Sequence, residues 1–194
     1  MRAPEPLARR WPMLCARLCL LSIAAHGLGF AAGDAMAREA DCTIVVGQGR
    51  NPSPTEAPVW DRLNARFNAE VTAALKATGR LVFPVVLSVD DIDPVAIPRL
   101  MLQRATDSGC GTIVETSVFA NDELAALSAR LRVYLVLPVT GAGVGIVGFQ
   151  IGEAVFVTQR DYPLTRISLD RFRPAVLAAE MAAEYLERTG PPGK

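Results

Sequence analysis

The chain has 194 residues, with 20 Lys and Arg against 20 Asp and Glu, and a single histidine, His26. No cluster of Lys or Arg is denser than Arg171-Phe172-Arg173, so nucleic-acid binding, which draws on a basic patch, is excluded. His26 lies in a segment that reads as a cleaved leader, which leaves the exported domain no histidine for acid–base catalysis or metal ligation.

Arg2, Arg9, Arg10 and Arg17 precede an apolar run from Leu18 to about Ala32, and Ala35-Met36-Ala37 follows. A basic start, an apolar run shorter than the ~20 residues of a spanning helix, and two small residues spaced for signal peptidase make residues 1–37 a signal peptide. Its removal leaves residues 38–194 as one slightly acidic domain, long enough for a single core. None of Cys15, Cys19 and Cys42 follows the Leu-small-small pattern of a lipid-anchor site. The expected address is therefore periplasmic or secreted.

Thr43 to Gly47 predicts a short buried strand, and the proline-rich stretch from Gln48 to Pro58 a loop. Trp60, Leu63, Phe67, Val71, Ala74 and Leu75 recur at helical spacing until Gly79 stops the helix. Leu81 to Val89 is a Val-rich strand made irregular by Pro84. Asp93-Pro94 suits a helix start, with Asp93 as cap, Pro98 near the amino end and Asp107 near the close. Three strands follow: Thr112 to Phe119, Ala129 to Val139 with Leu131, Val133, Leu135 and Leu137 on one face, and Val147 to Gln159. Between the first two, Asn121 to Ser128 forms either a wide turn or a helical turn. Leu169 to Arg188 is an amphipathic helix with Phe172, Val176, Ala179, Ala183 and Leu186 beside Leu177, Met181 and Tyr185. The fold class is α/β (α+β), a mixed sheet covered by helices in the order β-α-β-α-β-β-β-α.

That order, the Ala105-Thr-Asp-Ser-Gly-Cys-Gly-Thr-Ile-Val114 turn into the strand meander, and the closing Ala179-Glu-Met-Ala-Ala-Glu-Tyr-Leu-Glu187 helix resemble the amino-terminal domain of TolB and related envelope proteins. The resemblance covers about residues 42 to 188 and departs from that group at Glu115 and Thr116, where such domains often carry a glycine. It implies an envelope adaptor or assembly accessory whose partners are envelope proteins.

Several residues suggest chemistry in their own right. Cys42 precedes Thr43-Ile44-Val45, and Cys110, one glycine further back, precedes Thr112-Ile113-Val114, so parallel neighbouring strands bring the two thiols together. In an oxidising compartment a Cys42–Cys110 disulfide constrains the unfolded chain by about 4 kcal/mol in the chain-entropy model. Neither cysteine has the His or Cys-x-x-Cys partner of a catalytic thiol. Asp90, Asp91 and Asp93 lack the glycine and distal Glu of a calcium loop, so no metal is expected there. No serine or carboxylate pair stands in a catalytic motif, and the mature chain's arginines are read as solvated or ion-paired.

The absence of histidine from the exported domain and of any nucleophile motif argues against an enzyme, and the resemblance implies a non-enzymatic envelope protein acting by protein contact, without cofactor and with at most peripheral membrane contact. The alternative is a periplasmic small-molecule-binding module. Val133 to Gly152 carries no formal charge but is too rich in glycine for a spanning helix. It predicts a hairpin whose arms are buried by the helices and whose tip, with Val144, Ile146 and Val147, is a candidate partner contact. Gly143 to Gly148 spells G-x-G-x-x-G between two strands, where no helix follows to face a pyrophosphate. Calorimetry with NAD and ATP is accordingly expected to be silent; saturable micromolar binding lost on Gly145→Ala contradicts this reading.

Overall fold

The computed structural model describes residues 42–50, 57–87, 93, 95–121, 123–143, 145–165 and 171–189. The predicted signal peptide, Asp90, Asp91 and Val144 lie outside them. The elements are β1 (Cys42–Arg50), α1 (Ala57–Lys76), β2 (Leu81–Leu87), α2 (Ile97–Asp107), β3 (Thr112–Asn121), β4 (Ala126–Gly141), β5 (Gly145–Pro163) and α3 (Pro174–Thr189). They build a five-stranded mixed sheet in the order β2-β1-β3-β4-β5, parallel across β2, β1 and β3 and antiparallel from β3 through β5. The predicted element order is the observed one.

The strand order dictates where the helices go. The chain steps from β1 to β2 in one direction and from β2 across β1 to β3 in the other, so two right-handed crossovers place α1 and α2 on opposite faces. Alternation along β1 shows the result. Val45 joins Trp60, Phe67, Val71 and Leu75 of α1 in the larger core, whereas Ile44 and Val46 join Ile97, Met101 and Ala105 of α2 in the smaller one. α3 covers the α1 face through Leu177, Ala178, Met181 and Tyr185, with the Tyr185 ring 5.4 Å from that of Phe156.

Several details differ from the sequence reading, the first being that β1 runs through Arg50, so Gln48 is a strand residue rather than the start of a loop. α2 starts at Ile97 rather than at Asp93-Pro94: Asp93 Oδ1 accepts the Val95 N–H at 3.0 Å and closes the turn ahead of the helix. Pro98 is accommodated because the first-turn amide it lacks has no intrahelical partner. The buried face of α3 is rotated from the predicted one, with Leu177, Ala178, Met181, Ala182 and Tyr185 inside and Val176 exposed. Between β3 and β4, Asn121 Oδ1 accepts the Leu124 N–H and Ala125 takes a positive φ, which makes a compact turn.

The face that α1 presents to the sheet is not wholly apolar. Asn64, Asn68 and Thr72, four residues apart, are all buried. The Asn64 amide donates to Val118 O at 2.9 Å and accepts the Val118 N–H at 2.7 Å, as a neighbouring strand would. Asn68 donates to Val45 O at 3.1 Å and sits so close to β1 that a Cβ on Gly47 would lie 2.8 Å from its own Cβ. Gly47→Ala is expected to lower stability by about 1–3 kcal/mol through overpacking. Asn64→Ala should lower it by about 1–3 kcal/mol by leaving Val118 unsatisfied. Urea denaturation with unchanged m-values checks both.

Candidate functional site

β1 and β3 lie side by side, with α1 packed on one face of the sheet and α2 on the other. Pairing places Gln48 of β1 opposite Ser117 of β3, Ser117 opposite Arg130 of β4, and Glu115 opposite Arg132. Glu115 is only 3% exposed. Its Oε1 accepts from Gln48 Nε2 and from Arg132 Nη2, the latter at 2.6 Å, and its Oε2 accepts from the Tyr134 hydroxyl at 3.0 Å. The Arg132 guanidinium stands 5.8 Å from the Tyr134 ring centre, and that of Arg130 stands 5.0 Å from the Phe119 ring centre.

Burial by itself pushes the Glu115 carboxyl up, but the hydrogen bond and charge of Arg132, the Tyr134 hydroxyl and the charge of Arg130 together outweigh it and hold the group below its ordinary value. Burial and the Glu115 charge push the Tyr134 phenol up to about 12, so it remains a donor throughout the physiological range. Burial lowers the Arg132 guanidinium, yet the bond to Glu115 and its charge more than compensate. Over this cluster opens a cavity of about 240 Å³ whose other wall is Ile97, Pro98 and Met101 of α2 with Ile151 of β5.

Sequence reading missed this cluster. The signals present were a lone Glu in the otherwise uncharged Thr112–Phe119 strand and the alternation of Arg130, Arg132 and Tyr134 with apolar residues along β4. Arginines read as solvated faces are, at Arg132, partners of a buried carboxylate.

The predicted contact residues belong to a different place. The first residue of β3, Thr112, pairs with Leu135, and the last link to the sheet is the Val136 N–H to Gly111 O at 2.9 Å. Beyond it, residues 137–141 of β4 and 145–150 of β5 pair only with each other and form a two-stranded arm. Gly143 and Gly145 take the positive φ that its turn needs. Leu137 is 40% exposed, Ile146 47%, Val147 59% and Phe149 41%. The expectation that the hairpin arms are core is thus corrected: the arm overhangs the sheet, and among the described residues no helix buries Leu137, Ile146, Val147 or Phe149. Ile146 and Val147 sit together near its end, whereas Val144 lies outside the described residues.

Cys42, the first residue of β1, and Cys110, two residues ahead of β3, lie just before the parallel run of the two strands, with Cα atoms 4.6 Å apart and sulfur atoms bonded. Cys110 also lines a groove of about 420 Å³ at the root of the arm, with Leu135, Leu137 and Phe149 on the other side. Among the described residues no three His, Cys, Asp or Glu side chains gather as metal ligands, and no helix is long and apolar enough to cross a membrane.

The Glu115 cluster makes stability depend on pH in a defined direction. Because the folded carboxyl titrates below its ordinary 4.5, its contribution is present above the unfolded-state value and is lost as pH falls through the folded one. Urea midpoints are expected to drop between pH 7 and pH 3 in the parent, and to drop less in Glu115→Gln. Glu115→Ala, which strands Arg132, Gln48 and Tyr134, should lose about 3–5 kcal/mol at neutral pH.

No family model matches the chain, and no curated protein matches it. Among solved structures, the PelC dodecamer from Paraburkholderia phytofirmans is similar at 12% identity over 76% of this chain and 87% of that one, with a TM-score of 0.34. The C-terminal domain of LpoB from Salmonella enterica is 14% identical over 64% of this chain and 84% of that one, with a TM-score of 0.34. The lipoprotein GNA1162 from Neisseria meningitidis is 12% identical over 79% of this chain and 99% of that one, with a TM-score of 0.33.

Proposed function

We propose that this chain is a non-enzymatic, exported accessory of the bacterial envelope that acts by protein contact, and that the β4–β5 arm is its contact element. The observation that carries the reading is the arm itself: a charge-free hairpin with exposed Leu137, Ile146, Val147 and Phe149, extending past the sheet that would otherwise cover it. Two strands paired only with each other leave an outward row of backbone groups on each edge. Apolar side chains between two such edges suit a partner that adds an extended segment, where main-chain hydrogen bonds give affinity and side-chain pockets give selectivity.

The same edges argue against burial in lipid, where unpaired amides and carbonyls have no water to bind. Export is supported by the basic-apolar-small-residue start and by two cysteines held at bonding distance. The resemblance to TolB amino-terminal domains supports the adaptor role.

Ile146→Ser with Val147→Ser tests the assignment. The double variant is expected to keep its melting temperature within about 2 °C, since exposed surface changes are nearly neutral. A photo-crosslinker at Phe149 should form a discrete adduct in the native envelope that the double variant forms at least several-fold less. A collapsed melting temperature, or an undiminished adduct, contradicts the proposal.

A further inference from the structure

The polar cluster under α2 is chemically costly where it stands. The neighbouring positions on the same face, Ile44, Val46 and Ile113, fill the space against α2 with apolar side chains. A buried ion pair is seldom better for stability than a well-packed apolar replacement, because both ions lose their hydration. Yet Gln48, Glu115 and Ser117 are nearly inaccessible on the α2 face of β1 and β3. Gln48 borders the cavity, and its Oε1 has no hydrogen-bond partner among the described residues. Packing alone accounts for neither the polarity nor the open space.

The unused donors, Arg132 Nε among them, define what fits; the Gln48 Oε1 acceptor is one that an anion does not satisfy. Glu115 already accepts from Gln48, Arg132 and Tyr134, so it has little left to offer a cation. Arg132 spends one Nη on Glu115 and keeps the rest of its fork, and its side chain is 27% exposed. The amino end of α2 borders the same cavity through Ile97 and Pro98, with no acidic residue in its first turn and no side-chain cap. Asp93, just ahead of it, is engaged with the Val95 amide. A guanidinium and the positive end of a helix dipole favour an anion, while Ile97, Met101 and Ile151 favour an aliphatic body. At about 240 Å³ the space is below the ~300–1,000 Å³ of pockets that take drug-sized ligands, which favours a small one.

We propose that the cavity between α2 and the sheet binds a short-chain aliphatic carboxylate, its carboxylate on Arg132 and the amino end of α2 and its chain against Ile97, Met101 and Ile151. The site is separate from the arm and does not rest on the arm's role in partner contact.

Isovalerate, isopentylamine and isopentanol, which share one aliphatic body and differ in charge, are the probes, each titrated into the full exported chain with methyl NMR of Ile97, Met101 and Ile151 as readout. Isovalerate is expected to shift these signals saturably and to bind at least about tenfold, or ~1.4 kcal/mol, more tightly than the other two. Ile151→Trp, which fills the cavity from a half-buried position, should abolish the shifts of Ile97 and Met101 at an unchanged melting temperature. Arg132→Gln should remove the preference for isovalerate over isopentanol; where that variant does not fold, Ile151→Trp and the probe series decide. No saturable shift, equal binding of the three probes, stronger binding of the amine, or isovalerate binding that persists in folded Ile151→Trp overturns the proposal.

Discussion

The parallel pairing of β1 with β3 is the contact from which the rest of the arrangement follows. It requires the chain to leave β1, form β2 on one side and return across β1 to the other, and the handedness of those two crossovers assigns α1 and α2 to opposite faces. The same register aligns the amino ends of both strands, so Cys42 meets Cys110, and aligns their carboxyl ends, so Gln48 meets Ser117 next to Glu115. One pairing thus sets a covalent tie at one end of the sheet and a polar cluster toward the other.

The two faces of the sheet handle buried polarity differently. Under α1, Asn64 and Asn68 bond to strand backbone, which fixes the helix against β1 and β3 at a separation that only glycine at position 47 permits. Those amides act as extra rungs of the sheet. Under α2, the polar groups bond to one another, and the carboxylate of Glu115 is the hub. A network of that kind holds three strands in register through side chains, and its strength depends on every member being present.

Much of the fold was legible because helices and strands write their periods into the sequence. Leu63, Phe67 and Val71 announced α1, and the paired Thr-Ile-Val strand starts announced the neighbouring cysteines. What stayed hidden depends on register between distant segments. Alternation along β4 looks the same whether a strand is covered or overhangs, so the arm became visible only once Thr112 was seen to pair with Leu135. Glu115 gains meaning from residues 67 and 17 positions away. The polar stripe on α1 likewise needs its receiving carbonyls on β1 and β3 before it differs from a solvated face.

The placement of the disulfide also determines how the sheet opens. A covalent link at the amino ends of β1 and β3 acts as the pivot of a pair of tongs: separation of the two strands cannot start there and has to start at the other end, where only non-covalent bonds hold them. Reduction would abolish that asymmetry and let the strands part from either end. In the oxidised protein a parting of these two strands would therefore widen the gap between Gln48 and Ser117 before it reached the tied end.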